Sequence, residues 1–188
     1  MSIYNRPRFT MKRVIPAVTL SLLLGTTAYA AAVHFKPAKT GPAFDDQTLV
    51  LNASGGLSGL GNETLQVQLT ATETPTANCT NPAGQTQPPG RNPATVTLTG
   101  AQNITPDQIK NGNVSFSVTT NPPTSPIPDA PECPNSGWTE TITDVSFTTA
   151  TIRVFQPPTA PSAALTAACT FSPATANGPV PSSDVSCP

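Results

Sequence analysis

Few side chains in this sequence are equipped for chemistry. His34 is the only histidine, so Ser-His-Asp and Cys-His relays are excluded unless a mobile N-terminus brings in the imidazole. Cys79, Cys133, Cys169 and Cys187 form an even set. In an exported chain such a set reads as two disulfides and leaves no thiolate for catalysis. Four cysteines permit three pairings; Cys79–Cys133 with Cys169–Cys187 is favoured. The second pair is then local and brackets a turn-rich segment, and the first joins two long loops. The cysteines lack CxxC spacing and neighbouring histidines, so no metal site is expected.

Carboxylates are sparse. Asp45-Asp46 is the only adjacent acidic pair, and neighbouring side chains on a strand face opposite sides. Glycosidase-type carboxylates meet in space rather than in sequence, but the aromatic platforms of a sugar cleft are scarce. No EF-hand-like calcium loop is present. The sequence therefore points to a non-enzyme with no cofactor. What remains for recognition is a candidate binding set of Arg91, Asp129, Glu132 and Trp138. The three charged residues lie in long loops, 75–93 and 121–137, and Trp138 directly follows the second. Loops of that length are usually functional or disordered. The plainer alternative is that the Trp covers the disulfide and the charges are solvated.

The elements that must carry these residues read as strands. Leu49, Leu51 and Ala53 alternate with polar residues, as do Leu65, Val67, Leu69 and Ala71. Val96 and Leu98 follow, then Val114, Phe116 and Val118, then Ile142, Val145 and Phe147, and finally Ile152 and Val154. Period-two alternation with threonine on the other face marks half-buried strands. The expected fold is all-β, an immunoglobulin-like or related β-sandwich of about seven strands. One segment argues for helix: Thr105 at N-cap, Pro106 at N1 and Gln108 at N3 make a capping box for a single turn, stopped by Asn111-Gly112. The glycine-rich run at 54–61 lacks the Lys-Ser/Thr of a phosphate loop and reads as a turn between strands.

The chain also carries an address. Arg6, Arg8, Lys12 and Arg13 precede an uncharged stretch at 14–33, and Ala28-Tyr29-Ala30 supplies a small-x-small cleavage pattern. This is the layout of a secretory signal peptide over 1–30. Cleavage removes four of nine basic residues and none of the ten acidic ones, leaving a net charge of −5. It also removes both tyrosines. An acidic remainder argues against nucleic acid or an anionic membrane as partner. The expected divisions are a β-sandwich domain over 31–156 and, over 157–188, a proline-rich linker with a C-terminal disulfide-closed hairpin. Whether that hairpin docks on the sandwich is open.

Several runs carry a resemblance. They are Leu57-Ser58-Gly59-Leu60-Gly61-Asn62, Cys79-Thr80-Asn81-Pro82-Ala83-Gly84, Ile109-Lys110-Asn111-Gly112-Asn113, Cys133-Pro134-Asn135 and Trp138-Thr139-Glu140. In these the chain resembles small bacterial exported proteins of uncharacterised function, over roughly 33–156. The resemblance implies one shared fold and supplies no activity or site residue. The chain departs from chaperone–usher pilus subunits, which end in an alternating strand with a penultimate tyrosine; here the end is Val185-Ser186-Cys187-Pro188. The expectation is a secreted or periplasmic module for envelope structure, adhesion or protein interaction, its partner an unknown protein or envelope component. The alternative is a small-ligand binder, for calcium or glycan, working through loops 75–93 and 121–137.

Overall fold

The computed structural model describes residues 32–37, 41–88, 94–124 and 133–188. The expected signal segment lies outside them. Eleven strands form two antiparallel sheets, with no α-helix among the described residues. The first sheet contains β1 (His34–Lys36), β2 (Ala43–Asp46), β3 (Leu51–Ser58), β7 (Asn113–Thr119) and β10 (Gly178–Pro179). The second contains β4 (Leu65–Thr80), β5 (Thr86–Gln87), β6 (Val96–Ile104), β8 (Thr139–Phe155), β9 (Leu165–Phe171) and β11 (Val185–Ser186). The count is eleven rather than the expected seven: the 142–147 and 152–154 patterns are one strand, β8, while β2 and four pieces of only two or three residues, β1, β5, β10 and β11, add to the total. Of these pieces only β11 falls in an expected element, the C-terminal disulfide-closed hairpin.

The sheets share one core. Leu51, Ala53, Leu57, Phe116 and Val118 of the first sheet pack with Leu65, Val67, Leu69, Ile152 and Val154 of the second. Phe44 of β2 meets Phe171 of β9 edge-on, ring centroids 5.0 Å apart. Each fully buried aliphatic or aromatic side chain contributes about 1.5–3 kcal/mol, so this shared interior holds the sheets face to face. A one-turn 310 helix (Pro106–Gln108) carries the chain from β6 in one sheet to β7 in the other. The Gln108 side chain accepts from the Thr105 amide at 2.9 Å, as the capping pattern predicts. Asn111 and Gly112, both at positive φ, end the turn.

Two sequence readings are corrected. The glycine-rich run is not all turn: β3 continues through Gly55 and Gly56 to Ser58. Glycine is required there because a Cβ at Gly56 would lie 2.8 Å from the Lys36 carbonyl on the paired strand β1. Likewise, the loop expected to begin at Pro75 begins only after Thr80, because β4 runs on. Pro75 pairs with Val145, whose amide donates away from β4 to the Thr48 carbonyl at 2.9 Å. In an antiparallel pair both residues then point their amides away from each other. The missing N–H of Pro75 therefore faces the edge left open between Glu73, paired with Val96 of β6, and Cys79, paired with Gln87 of β5.

The segment after the proline-rich stretch supplies strands to both sheets. β9 pairs with β8, β10 with β2, and β11 returns to β9. The Cys169–Cys187 bridge closes this excursion and Cys79–Cys133 closes the other, leaving no free cysteine among the described residues. This is the favoured pairing. By loop entropy such bridges contribute roughly 3–4 kcal/mol each, and they suit an oxidising compartment. No helix among the described residues is long and apolar enough to cross a membrane.

Candidate functional site

The site expected at the joined loops sits at the far end of a ribbon. Past Glu73 strand β6 no longer accompanies β4, and residues 74–80 pair with 139–146 of β8. Ala77 and Cys79 are buried on the inward side, with Ile142 and Val145 beside them. The bridge to Cys133 draws the start of 133–138 against this end. Asn135 then shapes the entry to β8: its Oδ1 accepts from Gly137 N at 2.9 Å and its carbonyl from Trp138 N at 3.1 Å. Trp138 is half-buried there, one residue before Thr139 pairs with Thr80. On the other side, a turn over 81–85 leads into β5. Asn81 and Gln85 join through backbone and side chain, with the Gln85 amide donating to Asn81 Oδ1 at 2.8 Å and Asn81 Nδ2 to Gln85 Oε1 at 2.9 Å. Cys79, Cys133 and Trp138 are thus brought to one end. Arg91, Asp129 and Glu132 lie outside the described residues.

The ribbon bends at two bulges. Thr72 pairs with Thr149 but Glu73 with Phe147; Thr76 pairs with Asp144 but Ala77 with Ile142. Thr148 and Thr143 are the extra residues. Each donates its hydroxyl to the backbone carbonyl beside the shift, Thr148 to Thr72 at 3.4 Å and Thr143 to Thr76 at 3.2 Å. Side chains thus replace ladder bonds that the bulges interrupt.

Two acids are buried among the described residues: sequence reasoning passed over Glu73 and named Asp46 only as half of an adjacent pair. Glu73 is 0% exposed, and neither of its carboxylate oxygens finds a partner. Burial pushes its pKa from 4.5 to about 7. Its neighbours in register are Val96 and Phe147. The only signal was its phase: Glu73 continues the inward series Leu65, Val67, Leu69, Ala71. Asp46 differs. It lies in β2 with Asp45 on the opposite face, as strand alternation requires. Its Oδ2 accepts the hydroxyl of Thr175, and Thr175 Oγ1 accepts the Phe147 amide at 2.9 Å. Thr175 N in turn donates to the Phe147 carbonyl at 2.9 Å. Burial raises the Asp46 pKa, the Thr175 bond opposes this, and the nearby Asp144 charge adds to the rise. The arrangement is a polar latch from the first sheet, across the 172–177 segment, to the edge of β8.

A groove of about 660 Å³ opens between the β1–β2 edge and the C-terminal segment, lined by Pro37, Pro42, Phe44, Val180 and Val185. Among the described residues no group of three or more His, Cys, Asp and Glu side chains converges to hold a metal ion. No protein-family model, curated protein or solved structure matches the chain.

Proposed function

We propose that this chain is an exported, non-enzymatic β-sandwich module of immunoglobulin-like or related kind. In this reading it is secreted or periplasmic and works in envelope structure, adhesion or protein interaction through its disulfide-tied end. The observation that carries the reading is the Cys79–Cys133 bridge at the tip of the β4–β8 ribbon. It brings chain segments 54 residues apart to one place beside a half-buried Trp138. A large aromatic at a held chain end is the kind of group that anchors interfaces. Such a module needs an oxidising compartment, and the secretory layout of residues 1–30 supplies one.

The test has two arms. Expression with the native leader followed by N-terminal sequencing should give a mature protein in the exported fraction beginning at Ala31. Capture from envelope extracts with the oxidised protein should enrich a definite component that is lost with Trp138→Ala. Retention of residues 1–30 in the cytoplasmic fraction would sink the export half. Robust turnover in hydrolase or transferase assays would sink the non-enzymatic half.

A further inference from the structure

The outward face of the second sheet repeats one pattern on three adjacent strands. β6 carries Thr97 and Thr99, β4 carries Thr70 and Thr72, and β8 carries Thr149 and Thr151. Each pair flanks one buried residue, Leu98, Ala71 or Ala150. The register sets them in two cross-strand rows. Thr99, Thr70 and Thr151 stand opposite one another in the first, and Thr97, Thr72 and Thr149 in the second. Thr170 of β9 extends the second row. Adjacent strands lie about 4.8 Å apart and alternate residues about 6.8 Å apart, so the threonines form a two-dimensional mesh.

Cross-strand Thr–Thr pairs also stabilise a sheet, and any two strands suffice for that. This face goes further. Its six threonines are exposed or half-exposed, and among the described residues none of their hydroxyls is engaged by a protein partner. Neither row contains a charged residue; Arg153 lies in the next row, paired with Gln68. Neither row contains the Trp, Tyr or Arg that anchor protein interfaces, or an aromatic platform for a sugar ring. A threonine hydroxyl is both donor and acceptor, so it can stand in for one molecule of a tetrahedral water lattice. Its methyl group can sit in the hollow between neighbouring molecules. The occupant that matches an uncharged, regularly spaced mesh of hydroxyl and methyl groups is therefore an uncharged lattice of water.

We propose that the threonine face of β6, β4 and β8 binds the surface of ice. This face is separate from the disulfide-tied end, and the inference stands whether or not that end recognises a partner. The experiment measures ice recrystallisation inhibition and thermal hysteresis with the purified protein. Wild type is compared with Thr70→Lys in the middle of the mesh and Ser115→Lys on the exposed side of the other sheet. Circular dichroism melts establish that each is folded. Thr99→Lys, on the edge strand, brings the same charge into the same row if Thr70→Lys fails to fold. Wild type and Ser115→Lys should inhibit recrystallisation alike, and the mesh variants should lose that inhibition. Three results would overturn the proposal: no inhibition by wild type; undiminished inhibition by a folded mesh variant; or, without ice activity, a dimer or an adsorption to crystalline chitin that Thr70→Lys abolishes.

Discussion

Strands β4 and β8 lie side by side along most of their length, yet the two halves of that ribbon are held by different means. In the near half, 65–72 against 149–155, β6 and β9 flank the pair on either side. The inward residues there, from Leu65 to Ala71 and from Ala150 to Val154, are nearly inaccessible and face the first sheet. The register runs without a slip. In the far half, 73–80 against 139–147, the flanking strands beyond the Glu73–Val96 pair are missing or two residues long. Here the chain uses a disulfide, two threonine-tied bulges, the Thr48 carbonyl on Val145 and the Thr175 hydroxyl on Phe147. It also tolerates an unpartnered acid, Glu73. Where full-length strands flank the pair, apolar burial does most of the holding; where they do not, covalent and side-chain-to-backbone links add to it.

Phe147 stands where the halves meet and is fully buried. Phe147→Ala should cost about 3–5 kcal/mol, the largest effect expected here. Urea unfolding should show a lower midpoint with an unchanged slope, because a shared core fails as a whole. A new early transition involving only the ribbon tip would show instead that the far half is an independent unit.

Opening the far bridge should act more locally. The double variant Cys79→Ser/Cys133→Ser should lose about 2–4 kcal/mol. Hydrogen exchange should rise first in 74–80 and 139–146 and later in 65–72 and 149–155. Uniform loss of protection would erase the distinction between the halves.

Glu73 gives the contrast a pH dependence. Its folded pKa is raised from 4.5 to about 7, so between these values the native state holds a proton that the unfolded chain has released. The stability it permits is full below pH 4.5 and is lost as pH rises to about 7. The shift is worth at most about 3 kcal/mol. Glu73→Gln should flatten the fall in melting temperature across this window. Some slope should remain, because Asp46 and Glu140 are also raised by burial. An unchanged slope in the variant would show that Glu73 is not the titrating group.

The near half was legible in sequence because its information is local. Leu65, Val67, Leu69 and Ala71, or Val114, Phe116 and Val118, show their period without knowledge of a partner. The capped turn at Thr105 is local too. Much of the far half, and a few points elsewhere, were not legible, because their determinants are tertiary. Pro75 reads as a strand end until it is known which edge of β4 is open. Gly56 reads as a turn until the Lys36 carbonyl is seen against it. Asp46 and Thr175 meet across 129 residues with no signal in either neighbourhood. Of the candidate site, the cysteine pairing was legible because one pair is local and fixes the other. Glu73 was passed over because its charge contradicted its phase.

The smallest effect tests how the bulges are held. The hydrophobic series on β8 slips phase twice, from Ile142 to Val145 and from Phe147 to Ala150, and the two register shifts fall at the same places. Pattern alone would therefore put the bulges there, and the threonine hydroxyls would be incidental. Thr143→Val and Thr148→Val separate these accounts. Valine keeps the β-branch and the strand preference and deletes only the donor. If the hydroxyls hold the ribbon, each variant should lose about 0.5–1.5 kcal/mol, the usual net value of one hydrogen bond. Thr148 sits on the shared boundary and is half-buried, so its loss should show in global unfolding. Thr143 is exposed and nearer the tip, so its loss should show chiefly as faster exchange in 139–146. Unchanged stability and exchange in both variants would mean that the phase of the buried residues fixes the bulges, and that the far half resembles the near half more closely than its bonding suggests.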